Sequence, residues 1–158
     1  MNGNPDFAST LKSIPSFERL EDSRLVSLSS ICRLVSLSEG EEAYGEDEQG
    51  SDVFFIISGL MEIRMRIPGQ DEEQQEGLST LKSGEIFGET SFLDGGRREA
   101  TLASRERTLL LRLDGEPLRR LCEEDRDLGA LVFAAFGRTS AQRYRDAALE
   151  LRNVASSF

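Results

Sequence analysis

The chain has 158 residues, a formal net charge of -10 and no histidine, a length that gives room for one domain with one core. The acidic balance opposes binding to a phosphate backbone or an anionic membrane, which both call for clustered Lys and Arg. The missing histidine removes Ser-His-Asp and Cys-His catalysis and His-rich metal sites.

The opening MNGNPDFASTLKSIP lacks the apolar stretch of a signal peptide, and no apolar run approaches the roughly 20 residues that span a bilayer. A cytoplasmic protein is expected. In that compartment Cys32 and Cys122, both in apolar-periodic surroundings, read as buried thiols rather than a disulfide.

FASTLKSIPSFERLEDSRLVSLSSICRLVSL carries apolar residues at helical intervals with Pro15 as a break, which predicts two short helices, the second over Ser23 to Arg33. The period then changes. A β-rich run at Val53 to Ile57, Gly59, and alternation at Met61, Ile63, Met65 and Ile67 predict a strand, a turn and a longer strand pair. Pro68 to Gly77, PGQDEEQQEG, reads as a solvated acidic hairpin tip. Leu78 to Leu81 suits a short strand, and Ala100 to Leu113 alternates again.

From Glu116 onward the pattern returns to helix, with Leu128, Leu131, Val132, Ala135 and Phe136 on one apolar face that Gly129 and Gly137 weaken locally. That face suits two uses, covering the barrel of its own chain or pairing with a second copy. The expected fold is mainly β with flanking helices. A jelly-roll barrel occupies about residues 36–115, with short N-terminal helices over about 1–35 and C-terminal helices over about 116–158, all in a single domain.

The stretch GEIFGETSFLDGGRREATL, Gly84 to Leu102, stands apart. Its glycines and a helical turn after Glu89 offer backbone N–H groups to an anion, and Arg98 adds a fixed fork of donors. By themselves these features also suit an ordinary connection between strands.

The same stretch resembles the phosphate-binding cassette of cyclic nucleotide-binding domains, found in catabolite activator-like regulators, cyclic-nucleotide-gated channels and cyclic-AMP-dependent protein kinase regulatory subunits. Phe87-Gly88-Glu89 matches the cassette's F-G-E, Phe92-Leu93 its apolar turn, Gly95 its turn glycine, and Arg98-Glu99-Ala100-Thr101-Leu102 its R-A-A-T-V end. EDEQGSDVFFIISGLMEI resembles the family's E-G-D-x-G segment, and the terminal helices resemble its flanking helices.

The resemblance implies that Glu89 accepts the ribose 2′-hydroxyl, that the Gly88 region and the turn after Glu89 give amides to the cyclic phosphate, and that Arg98 pairs with it. The helix around Phe133 to Tyr144 would cover the purine. Thr90 and Ser91 stand where an apolar residue and Ala or Ser are usual, and could add hydroxyl donors. Asp47 replaces the glycine of the E-G-D turn.

Glu99 is the main departure, because the family usually has Ala, Ser or Thr there, next to the phosphate. Two like charges about 4 Å apart repel by roughly 4 kcal/mol at an effective dielectric of 20, about a thousandfold in affinity. Glu99 therefore abolishes binding, points outward as alternate strand residues do, or pairs with Arg97.

The resemblance implies a regulatory module and not an enzyme. It would sense cAMP rather than cGMP, since the cGMP-favouring threonine is absent after Arg98, and relay binding through its C-terminal helix to a partner protein or into a homodimer. Relatives that regulate transcription carry a helix-turn-helix after this helix, whereas this chain stops at Phe158, so DNA is not an expected partner. The competing expectation is a ligand-independent interaction domain whose socket Glu99 has made degenerate. A carboxylate metal site among Glu46, Asp47, Glu48 and Asp52 competes with a plain solvated acidic turn.

Overall fold

A computed structural model describes residues 6–71 and 75–158. It begins with α1 (Phe7–Lys12), whose N-terminus is capped by the Asp6 carboxylate accepting the Ala8 N–H at 3.1 Å. Pro15 and Ser16 break the chain before α2 (Asp22–Ser29).

The second helix is shorter than its periodicity predicts, and β1 (Cys32–Leu37) begins inside the segment assigned to it. All six β1 residues pair antiparallel with β8 (Thr108–Leu113), from Cys32 opposite Leu113 to Leu37 opposite Thr108. Long-range pairing overrides the local helical pattern.

The other strands are β2 (Glu42–Tyr44), β3 (Val53–Ser58), β4 (Leu60–Arg66), β5 (Gln75–Lys82), β6 (Ile86–Phe87) and β7 (Thr101–Ser104). They form two antiparallel four-stranded sheets, ordered β1-β8-β3-β6 and β2-β7-β4-β5. This is the expected jelly roll, built as two facing sheets rather than a closed cylinder. β5 already begins at Gln75, so the acidic tip is shorter than Pro68 to Gly77, and residues 72–74 of it lie outside the described residues.

Two apolar clusters explain why β3 reads as a continuous hydrophobic run. Phe54 and Ile56 point between the sheets with Tyr44, Met61, Phe87 and Leu110, while Val53 and Phe55 face the helices with Phe17, Phe92 and Phe136. A strand buried on both faces loses its polar alternation.

The chain closes with α3 (Glu89–Asp94) between β6 and β7, then α4 (Gly115–Glu124) and α5 (Arg126–Ala155). Leu128, Val132, Ala135 and Phe136 are buried in the chain's own core, with Leu131 packed partly against it. The apolar face noticed in the sequence thus covers its own barrel and is not a seam for a second copy. From Tyr144 to Phe158 every residue is exposed. No described helix is long and apolar enough to cross a membrane.

Candidate functional site

The cassette is a strand, a tight turn, a short helix and a return. β6 ends at Phe87; Gly88, with a φ of +85°, caps the start of α3, and Gly95 at +73° ends it. Gly88 is required on two counts. Its backbone is left-handed, and a Cβ there would sit 2.6 Å from Asp52 O and 3.0 Å from Arg98 Nη1.

Arg98 is only 3% exposed. Its Nη1 donates to Gly88 O at 2.9 Å and its Nη2 to Asp52 O at 2.8 Å, while its guanidinium carbon lies 4.1 Å from the Tyr44 ring centroid. Burial pushes the Tyr44 phenol well above its ordinary pKa, so the ring stays neutral under the cation. The guanidinium is thereby held at the N-terminal end of α3, and its buried Nε has no partner.

The β2–β3 loop fixes this strand from the other side. Asp47 N–H donates to Arg98 O and Arg98 N–H to Glu48 O, at 2.8 and 2.9 Å. Asp47, which stands in for the glycine of the E-G-D turn, has a left-handed backbone with φ +67°. Glu46 and Asp47 pair with Arg66, and among the described residues no cluster of three potential metal ligands occurs.

Glu89, the first residue of α3, is 1% exposed. Its Oε1 accepts from Arg143 Nη1 at 2.7 Å and from Ser140 Oγ at 3.2 Å, both on α5. Arg143 Nη2 also donates to Ile86 O, and Thr90 Oγ1 lies 3.3 Å from Ser140 Oγ. Glu89 Oε2 is buried without a partner, as is Ser91 Oγ. Phe87 stacks on Phe54 at 5.0 Å and supports the strand, while Ala100 is buried at the start of β7.

Glu99 is exposed between buried Arg98 and Ala100. It does not pair with Arg97, whose Nη1 donates to Asp47 O at 2.8 Å. Of the three expectations for this carboxylate, the geometry removes the ion pair and agrees with the outward orientation.

One acceptor (Glu89 Oε2), one hydroxyl (Ser91) and one cationic N–H (Arg98 Nε) thus stay buried and unsatisfied within ten residues of chain. Buried polar groups are normally paired, and such a set suits a ligand with a hydroxyl and an anionic group.

The family model for the cyclic nucleotide-binding domain matches residues 34–125. The chain belongs to this family. It is 33% identical over 94 residues to a cAMP-dependent protein kinase regulatory subunit of Mycosarcoma maydis, covering 60% of this chain and 17% of that protein. It is also 33% identical over 118 residues to the cyclic AMP receptor protein of Thermus thermophilus, covering 72% and 49%. The chain thus spans half or less of these relatives' lengths. A cyclic nucleotide-binding domain from Methylobacillus flagellatus shares the fold, with a TM-score of 0.78 over 94% of this chain and 82% of its own at 19% identity.

Three residues around the cassette escaped the sequence reading, Tyr44, Ser140 and Arg143, and a fourth, Asp52, was named there only as a candidate metal ligand. Asp52 accepts from Arg98 through its main-chain carbonyl, while its carboxylate accepts the Gly115 N–H at 2.7 Å and pairs with Arg112, roles no side-chain pattern announces. Arg143 lies within the helical stretch expected to cover a purine, but nothing in its spacing marks it as the partner of Glu89.

Proposed function

We propose that this domain senses a cyclic nucleotide, cAMP in preference to cGMP, and relays its binding through α5 to a partner protein, acting as a regulator rather than a catalyst. The observation that carries this reading is the pair of orphaned buried groups, Glu89 Oε2 and Arg98 Nε, beside the left-handed turn at Gly88. In this reading Glu89 Oε2 accepts the ribose 2′-hydroxyl. The cyclic phosphate lies against Arg98 and the amides of Gly88, Glu89, Thr90 and Ser91, with Phe87 and Ala100 holding the two ends of the cassette and Glu99 beside it.

The relay follows from Glu89 serving two partners. Its Oε1 is already held by Arg143 and Ser140 of α5, so a ligand on Oε2 favours whichever α5 position keeps that contact. Binding shifts the helix only by its differential affinity for the two positions.

The output surface is the exposed end of α5. Tyr144 and Leu151 stand seven residues apart with Ala147 and Val154 completing the stripe, and Tyr144 and Leu151 are 76% and 71% exposed. Arg145 and Arg152 flank this stripe on one side and Glu150 on the other. A parallel second copy sets the acidic flank of one helix against the basic flank of its partner, which supports a homodimer.

A second reading is a ligand-independent interaction domain. It is favoured by the Glu89–Arg143 bridge, which closes α5 onto the cassette without a ligand.

Thermal unfolding with and without millimolar cAMP and cGMP separates the two. A ligand at 100 times its dissociation constant adds about 2.7 kcal/mol. A clear shift with cAMP, larger than with cGMP, supports the sensor, whereas a folded sample that neither nucleotide shifts leaves the interaction domain.

A further inference from the structure

We propose that the cavity of about 390 Å³ between the Pro15–Ser16 turn, β6 and α5 is a second ligand site, one that takes a small carboxylate with an apolar body. Its volume falls in the range of small-molecule sites, which combine apolar walls with a few fixed polar groups. Pro15, Ile86 and Ala135 form the apolar wall, and Arg138 supplies the charge.

Arg138 is the uncommitted cation here. It is exposed, its single hydrogen bond is a long one of 3.4 Å from Nη1 to Ser16 Oγ, and among the described residues it pairs with no carboxylate. The neighbouring Arg143 is spent on Glu89 and Ile86 O. Two acids also border the cavity: Glu85 Oε2 accepts the Lys82 N–H at 2.7 Å and Asp146 Oδ1 accepts from Gln142 at 2.9 Å. These neutral donors leave both negative charges in place, so an anionic occupant is favoured only at the Arg138–Ser16 end.

Ser16 sharpens the site. It is one of two non-glycine residues among the described ones with a left-handed backbone, at φ +76°, and its hydroxyl sits beside the Arg138 fork. A carboxylate accepts from a guanidinium through two parallel bonds, and a serine hydroxyl adds a third donor. Ala135, Arg138 and Gln142 lie on one face of α5 at helical spacing. An occupant would tie that helix to the N-terminal turn.

The test uses the full chain without nucleotide, so its outcome is independent of the sensor reading. Benzoate and octanoate are titrated in, with benzyl alcohol as the uncharged control, and backbone amide shifts are followed by NMR. The expected result is saturable shifts at residues 16, 84–86 and 135–146 with dissociation constants of about 1 mM, at least about tenfold weaker in Arg138→Gln, and none with benzyl alcohol. Arg138 is exposed, so the variant is expected to keep the parent's thermal midpoint. No saturable shift with either acid, equal response to benzyl alcohol, or unchanged affinity in a folded Arg138→Gln variant overturns the proposal.

Discussion

Arg143 on α5 and Glu89 on α3 are joined at 2.7 Å, and the Glu89 side chain is 2% exposed against 30% for Arg143. A nearly buried carboxylate is thus neutralised by a cation from a helix fifty-four positions away in the chain. Removing one partner of a buried pair costs more than the pair contributes, because the other charge stays behind. Arg143→Ala is therefore expected to destabilise the ligand-free protein by about 2–3 kcal/mol in urea unfolding and to speed amide exchange along the far half of α5. An unchanged exchange pattern would separate the helix from the cassette.

Arg98 answers to two carbonyls and an aromatic ring at once. A single ammonium cannot reproduce that fork. Arg98→Ala is expected to weaken cAMP binding at least about a hundredfold by calorimetry, and Arg98→Lys to recover little of it. Equal affinity in the parent and both variants would remove the cassette chemistry.

Glu99 is exposed, and that lowers what its charge can do. In water-like surroundings two unit charges about 4 Å apart alter affinity by about fivefold, not a thousandfold. Glu99→Ala is expected to leave the thermal midpoint unchanged and to tighten cAMP binding about fivefold at low salt, with the gain shrinking as salt screens it. A gain of several hundredfold would place the carboxylate against the phosphate.

The apolar stripe at the end of α5 predicts self-association. Light scattering is expected to give a dimer for the parent and a monomer for Leu151→Glu, with the same circular dichroism. A parent that stays monomeric at high concentration removes the homodimer.

Acid sensitivity is predicted at the start of α5. Arg24 donates to the Asp125 carboxylate at 2.8 Å, and this bond, with the Leu128 N–H, holds the Asp125 pKa below its ordinary value. A lowered folded-state pKa adds stability above the unfolded value of about 3.9 and loses it as pH falls through the folded one. The stability gap between the parent and Asp125→Asn is expected to be constant from about pH 5 to 8 and to close below about pH 4. A gap that persists in acid would assign Asp125 a role independent of its charge.

Much of this molecule was legible in its residues because the cassette is written in types with few substitutes. Left-handed turns at Gly88 and Gly95 and a forked donor at Arg98 are local demands, visible at fixed spacing. The boundary at Cys32 was not visible, because pairing with β8 decides it. The role of Arg143 was hidden for a related reason: a helical arginine looks the same whether it faces water or a carboxylate brought in by the fold. Leu128 to Phe136 were readable as an apolar face, but choosing between its two uses needed the position of the barrel.

The two buried thiols carry a last consequence. Burial raises Cys32 to about 12 and Cys122 to about 11, and the chain has no histidine. The side chains that ordinarily change charge near neutrality are therefore either missing or displaced. Neither imidazole nor thiol changes charge in this chain over a pH swing of about a unit around neutrality. In the proposed sensor, the affinity of the cassette between about pH 6.5 and 7.5 would then owe nothing to imidazole or thiol titration.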